Sequence, residues 1–82
     1  MDEKQVRESL RDYITREFIQ DSDYRLQDDE AIITGGLIDS FALAELAVFI
    51  EQAFDVYLPN PELTVEKMDT LDLIVARVMR AG

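Results

Sequence analysis

The run Gly36-Leu37-Ile38-Asp39-Ser40-Phe41-Ala42-Leu43-Ala44-Glu45-Leu46 decides how this chain is read. Two glycines, Gly35 and Gly36, close a loop, and Asp39 or Ser40 is suited to cap the free amides of a helix that begins at once. From Ser40 the pattern stays helical through Phe54. Leu43, Leu46, Ala47, Ile50 and Phe54 make one apolar stripe, while Phe41, Ala44 and Val48 make another on a different side. One stripe faces the core. The second either meets a partner or tucks under the preceding loop as extra core.

Working outward, Val6, Leu10, Tyr13, Ile14 and Phe18 recur at helical spacing with charges opposite, which predicts a first helix from about residue 3 to residue 20. Between Gln20 and Asp39 lies a long loop with an acidic stretch, Gln27-Asp28-Asp29-Glu30, and four aliphatics, Ile32, Ile33, Leu37 and Ile38, that pin it to the core. So long a loop in so small a domain points to function. After Phe54 the alternation Phe54, Val56, Leu58 is too brief and too close to proline for a strand. Asn60-Pro61-Glu62 reads as cap, first-position proline and acidic first turn of a short third helix ending near Met68. Asp69 or Thr70 then caps a last helix whose apolar face is Leu71, Ile74, Val75 and Val78, with Arg77 and Arg80 near its negative end. The expectation is an all-α, small four-helix bundle with a long first loop and a short third helix, residues 1–82 forming a single domain.

The 82 residues leave room for one core, and 48% apolar with 32% charged residues is the balance of a folded globular domain. No apolar run approaches the roughly 20 residues that cross a bilayer, and Met1-Asp2-Glu3-Lys4-Gln5 is too polar for a signal peptide, so the expected location is cytoplasmic. Eighteen acidic against eight basic residues give a formal charge of -10, which repels nucleic acid and anionic membranes and attracts basic protein surfaces. Cys and His are both absent. Thiolate nucleophiles, imidazole acid/base chemistry, serine triads and the usual zinc sites are thereby excluded, and any reactive group must be added to the protein. The carboxylates Asp21, Asp23, Asp28, Asp29 and Glu30 do not form a calcium loop, because Asp21-Ser22-Asp23-Tyr24-Arg25-Leu26 breaks the ligand pattern at the third ligand and the glycine. They read as a solvated acidic loop, and no metal site is expected.

Ser40 alone reads as a plain helix cap. It also sits where free amides and the positive end of the helix dipole favour an attached phosphate, with its hydroxyl open to an incoming enzyme and no neighbouring His or Lys to activate it. That makes it an acceptor rather than a catalyst, and no catalytic residue is expected. The run Gly36 to Phe41, opening the helix that continues to Leu46, resembles the modification site of acyl carrier proteins. The long first loop, Phe54-Asp55-Val56-Tyr57-Leu58-Pro59 and the short third helix follow in that family's order, so the resemblance covers most of the chain.

The resemblance implies an acyl-carrier-like fold and a carrier role without enzymatic activity. Ser40, preceded by Asp39, would carry covalent 4'-phosphopantetheine derived from coenzyme A and attached by a phosphopantetheinyl transferase. Acyl or aminoacyl groups would ride on that arm as thioesters. The helix after the serine would dock activating, synthase or transferase enzymes with basic surfaces, through Phe41, Ala44, Glu45 and Val48, the carrier itself being a monomer. Phe41 in place of the usual aliphatic, Ala42 in place of an acidic residue and Tyr57 at a commonly acidic position point away from housekeeping fatty-acid synthesis. They favour a specialised polyketide, nonribosomal-peptide, amino-acid or modified-acyl pathway, although the Gly-His-Ser site frequent in peptide-synthesis carriers is missing. Two other readings stand beside this one: a cofactor-free acidic helical adaptor, in which Ser40 is never modified, and a calcium-responsive helical protein.

Overall fold

The structure is a computed structural model that describes residues 2–21 and 23–81. Four helices carry the fold: α1, Glu3–Tyr13; α2, Ala42–Phe54; α3, Val65–Met68; and α4, Leu71–Ala81. Among the described residues there is no strand, and no helix is long and apolar enough to cross a membrane.

Helix α1 begins where Asp2 accepts the Lys4 N–H and buries Val6 and Leu10 on one stripe, packing chiefly against α4. The single helix expected over residues 3 to 20 changes character at Ile14. Ile14–Ile19 widens into a π-helix that ends at Gln20, whose φ of 60° is left-handed and whose N–H reaches the Thr15 carbonyl at 2.7 Å. The Thr15 hydroxyl donates to the Arg11 carbonyl at 2.6 Å, so this buried side chain competes with the backbone where the helix loosens. Widening the last turns lets Ile14 stay in the core while Phe18 swings to the edge, where it meets Tyr13 edge to face at 5.4 Å.

On α2 the inward stripe is Leu43, Leu46 and Ile50. Phe54, expected in the core, is only half-buried. It occupies the last position of α2 and leans edge-on against Phe49, whose ring stacks on Tyr13 with centroids 3.9 Å apart. Ala47 is likewise half-buried. The chain leaves α2 through Asp55, at a φ of 57°, and then places Val56 and Leu58 inward while Tyr57 points out at 69% exposure. The short third helix is split. Pro61 tightens Asn60–Glu62 into a 3-10 turn, Leu63 departs from helical geometry, and Thr64, rather than Asn60, caps α3 by accepting the Lys67 N–H at 3.2 Å. Thr70 caps α4 by accepting the Leu73 N–H, and Leu71, Ile74, Val75 and Val78 are all buried, as their spacing predicts.

The long loop is fastened at three points. Leu26 and Ile32 sit in the core, with Ile33, Leu37 and Ile38 packed against it. Arg11 donates to the Leu26 carbonyl and pairs with Asp28, which also faces Arg7, while Arg7 reaches Asp72 of α4 at 2.6 Å. Hydrogen bonding to Asp72 holds the Arg7 guanidinium above its ordinary value, with partial burial opposing. Asp28 and Glu30, which accepts from the Tyr24 hydroxyl, are therefore bound groups rather than a solvated face. Hydrogen bonding to Glu30 raises the Tyr24 phenol.

Candidate functional site

The third fastening sets the site. Asp69, one of two candidates for the α4 cap, serves the loop instead. Its carboxylate accepts the Ile33 N–H at 2.8 Å, the Thr34 N–H at 3.0 Å and the Thr34 hydroxyl at 2.7 Å, and its carbonyl accepts the Ile32 N–H at 2.7 Å. Partial burial pushes its acidity down, but the donations from Thr34 and Ile33 outweigh that and hold its pKa below the usual carboxylate value.

From this anchor the backbone turns back on itself. The Gly36 N–H bonds the Ile33 carbonyl, and the Leu37 and Ile38 N–H groups both reach the Ile32 carbonyl. The two glycines are required here. A Cβ on Gly35 would stand 2.1 Å from the Ala31 carbonyl oxygen, and Gly36 has a φ of 85°, which side chains disfavour. The turn delivers Asp39 and Ser40, both exposed, to the entrance of α2.

At that entrance Asp39 Oδ1 accepts the Phe41 N–H at 3.0 Å, while the Ala42 and Leu43 N–H groups reach back to the Asp39 and Ser40 carbonyls at 3.1 and 3.2 Å. Two expectations change. The helix begins at Ala42, two residues later than Ser40, because its first turn is drawn tight by contacts three residues apart. The amides are also not free for a phosphate on Ser40, since Asp39 already takes the Phe41 N–H. What remains for an attached anion is the positive end of the α2 dipole, beside an exposed serine on a fixed turn. This arrangement fits a covalent arm, which needs a presented hydroxyl and no enclosing pocket.

Phe41 is 86% exposed and Val48 55%, with Ala44 and Glu45 exposed between them. The extra-core reading of Phe41 and Val48 is thereby overturned, because the loop packs its own aliphatics inward and leaves this face of α2 bare. Tyr57 borders the same face across a groove shared with Ala44, Val48 and Leu63. The pattern of inward Val56 and Leu58 was the available signal for Tyr57, since the residue between two buried neighbours on an extended segment must point out. On the neighbouring flank Tyr13 is held above its ordinary pKa, first by burial and then by the negative charge of Glu45 and Glu17.

No family model matches the chain. The D-alanyl carrier protein of Lactobacillus acidophilus is 35% identical over 78 residues, spanning 95% of this chain and 92% of that protein. The D-alanyl carrier protein of Lactobacillus helveticus is 33% identical over 78 residues with the same coverage. An exposed serine on a braced turn at the entrance to α2, four helices in acyl-carrier order and near end-to-end similarity to these relatives lead to one conclusion: the chain belongs to the D-alanyl carrier proteins, an acyl-carrier-like family.

Proposed function

We propose that this carrier holds an aminoacyl group, alanyl by analogy with its relatives, on a 4'-phosphopantetheine arm attached to Ser40. The observation that carries the reading is the exposed Ser40 at the entrance to α2, on a loop braced by Asp69 and a turn held by Asp39. In the attachment step the Ser40 oxygen would form a bond to the phosphorus of coenzyme A that bears the pantetheine, the bridging P–O bond of the pyrophosphate would break to release adenosine 3',5'-bisphosphate, and the serine proton would pass to a base of the transferase. Ser40 has no neighbouring His or Lys in sequence to take that proton, so the base belongs to the partner. When bound, the arm supplies a terminal thiol that holds the acyl group as a thioester.

The chain's own residues present the arm and receive partners. Asp39 fixes the turn, and Phe41, Ala44, Glu45 and Val48 offer a shallow apolar face with acidic neighbours to a phosphopantetheinyl transferase and to an aminoacyl-activating or aminoacyl-transferring enzyme with a basic surface. An aminoacyl cargo agrees with the specialised pathway suggested by Phe41, Ala42 and Tyr57. Loading by a promiscuous transferase with coenzyme A tests the reading, since the parent should gain one arm and Ser40→Ala none. Equal gain by Ser40→Ala would refute it.

A further inference from the structure

A groove opens beside Ser40, between the π-helical end of the first helix and the start of α2. Its lining includes the apolar Phe18, Leu37, Ile38 and Phe41 together with Asp39 and Glu45. Among the described residues Asp39 and Glu45, like several other exposed carboxylates such as Glu51 and Asp55, enter no ion pair, but these two face a groove with apolar walls. The groove therefore combines an apolar wall with two carboxylates that lack a cation, immediately next to the residue that would bear the arm.

We propose that this groove is the resting place of the arm's own cargo and that it favours a cationic aminoacyl group over a neutral acyl group. The inference rests on the reading of Ser40 as the arm-bearing residue. The ammonium of the cargo pairs with Glu45 and the free oxygen of Asp39, while the carbon skeleton lies against Phe18 and Phe41. An ammonium facing aromatic rings gains from their negative faces as well. Exposed ion pairs are weak between free molecules. Here a tether at Ser40 keeps the cargo at an effective concentration on the order of millimolar, so even a millimolar affinity gives substantial occupancy. A neutral acyl group of the same shape would keep the wall contacts and lose the charge pairing. Occupancy would also cover the flank of Phe41 and leave Ala44 and Val48 open to partners.

Alanyl and isobutyryl arms differ by an ammonium against a methyl group and otherwise match in shape. Both can be placed on Ser40 from the corresponding acyl-coenzyme A, with intact mass confirming each product, and compared in amide proton–nitrogen spectra. The expected result is that the alanyl arm shifts the amides of Phe18, Leu37 and Glu45 relative to the isobutyryl arm. That difference should shrink at high salt and disappear in Glu45→Gln combined with Asp39→Asn, the asparagine retaining an acceptor for the Phe41 N–H. Spectra that are identical for both arms at Phe18 and Glu45 would overturn the inference while leaving the carrier reading intact. A failure of either arm to add mass to the parent would bring down the carrier reading and this inference with it.

Discussion

The Asp69 carboxylate accepts the Thr34 hydroxyl at 2.7 Å across 35 residues of sequence, tying the junction before α4 to the loop that delivers Ser40. The same carboxylate takes two backbone N–H groups of that loop. Asp69→Ala removes the acceptor of all three hydrogen bonds at once. With the Ile33 amide part-buried, the expected loss is about 2 kcal/mol, or a fall in Tm on the order of 8–16 °C for a domain of this size. Arm transfer to Ser40 should slow even where the variant is folded, because the turn loses its brace. Thermal unfolding and transfer rates check both effects.

Asp69 also sets an acid response. Its folded pKa lies below the value it takes in the unfolded chain, so its contribution to stability is complete above the ordinary carboxylate pKa of about 4 and is lost as pH falls through the depressed folded value. Glu62 behaves in the same sense, lowered chiefly by Arg77 and then Lys67 against an opposing desolvation effect. Chemical denaturation from pH 7 down to pH 3 should show stability falling on the acid side. In Asp69→Ala that fall should be shallower, and a slope equal to the parent's would contradict the assignment.

The two aliphatic anchors of α2 and its terminal aromatic should separate in their effects. Leu46 and Ile50 are fully buried, so Leu46→Ala and Ile50→Ala should each cost about 2–5 kcal/mol. Phe54 is half-buried at a helix end, and Phe54→Ala should cost roughly 1–3 kcal/mol, less than the 3–5 expected of an enclosed aromatic. Denaturant midpoints for the three variants give the order directly.

Charge and shape on α2 should divide the work of partner recognition. Glu45→Lys should slow arm transfer and loading, and added salt should weaken the parent's association, since exposed charges are screened beyond about 8 Å at physiological ionic strength. Val48→Asp should impair the same reactions by removing apolar contact. Glu3→Lys, on the far helix, should load as the parent does. All three are surface changes, expected to alter stability by less than about 0.5 kcal/mol. If Glu3→Lys alone is slow, docking runs through α1.

The sequence made the helical order legible because helix periodicity is a repeated signal. Val6, Leu10 and Ile14, like Leu71, Ile74, Val75 and Val78, are buried as their spacing implies. The bend of the first helix into a π turn was not legible, because it depends on Thr15 meeting the Arg11 carbonyl within a packed environment. The division of the third helix turned on Thr64 outcompeting Asn60 as a cap, a choice that local preference leaves open. At the site, Gly36 to Phe41 announced the turn, but its support from Asp69 joins residues far apart in sequence and had no periodic trace. Phe54 was overcalled because a stripe position at the end of a helix need not be covered by anything beyond it.

The carrier role depends on Ser40 bearing the arm. Intact mass of the protein purified from its native host tests this most directly, followed by fragmentation to locate the modification. The expected result is a mass raised by one phosphopantetheine arm, alone or with an aminoacyl group, mapped to Ser40. An unmodified chain after exposure to its own host's transferase, or an arm mapped to any other residue, would contradict it.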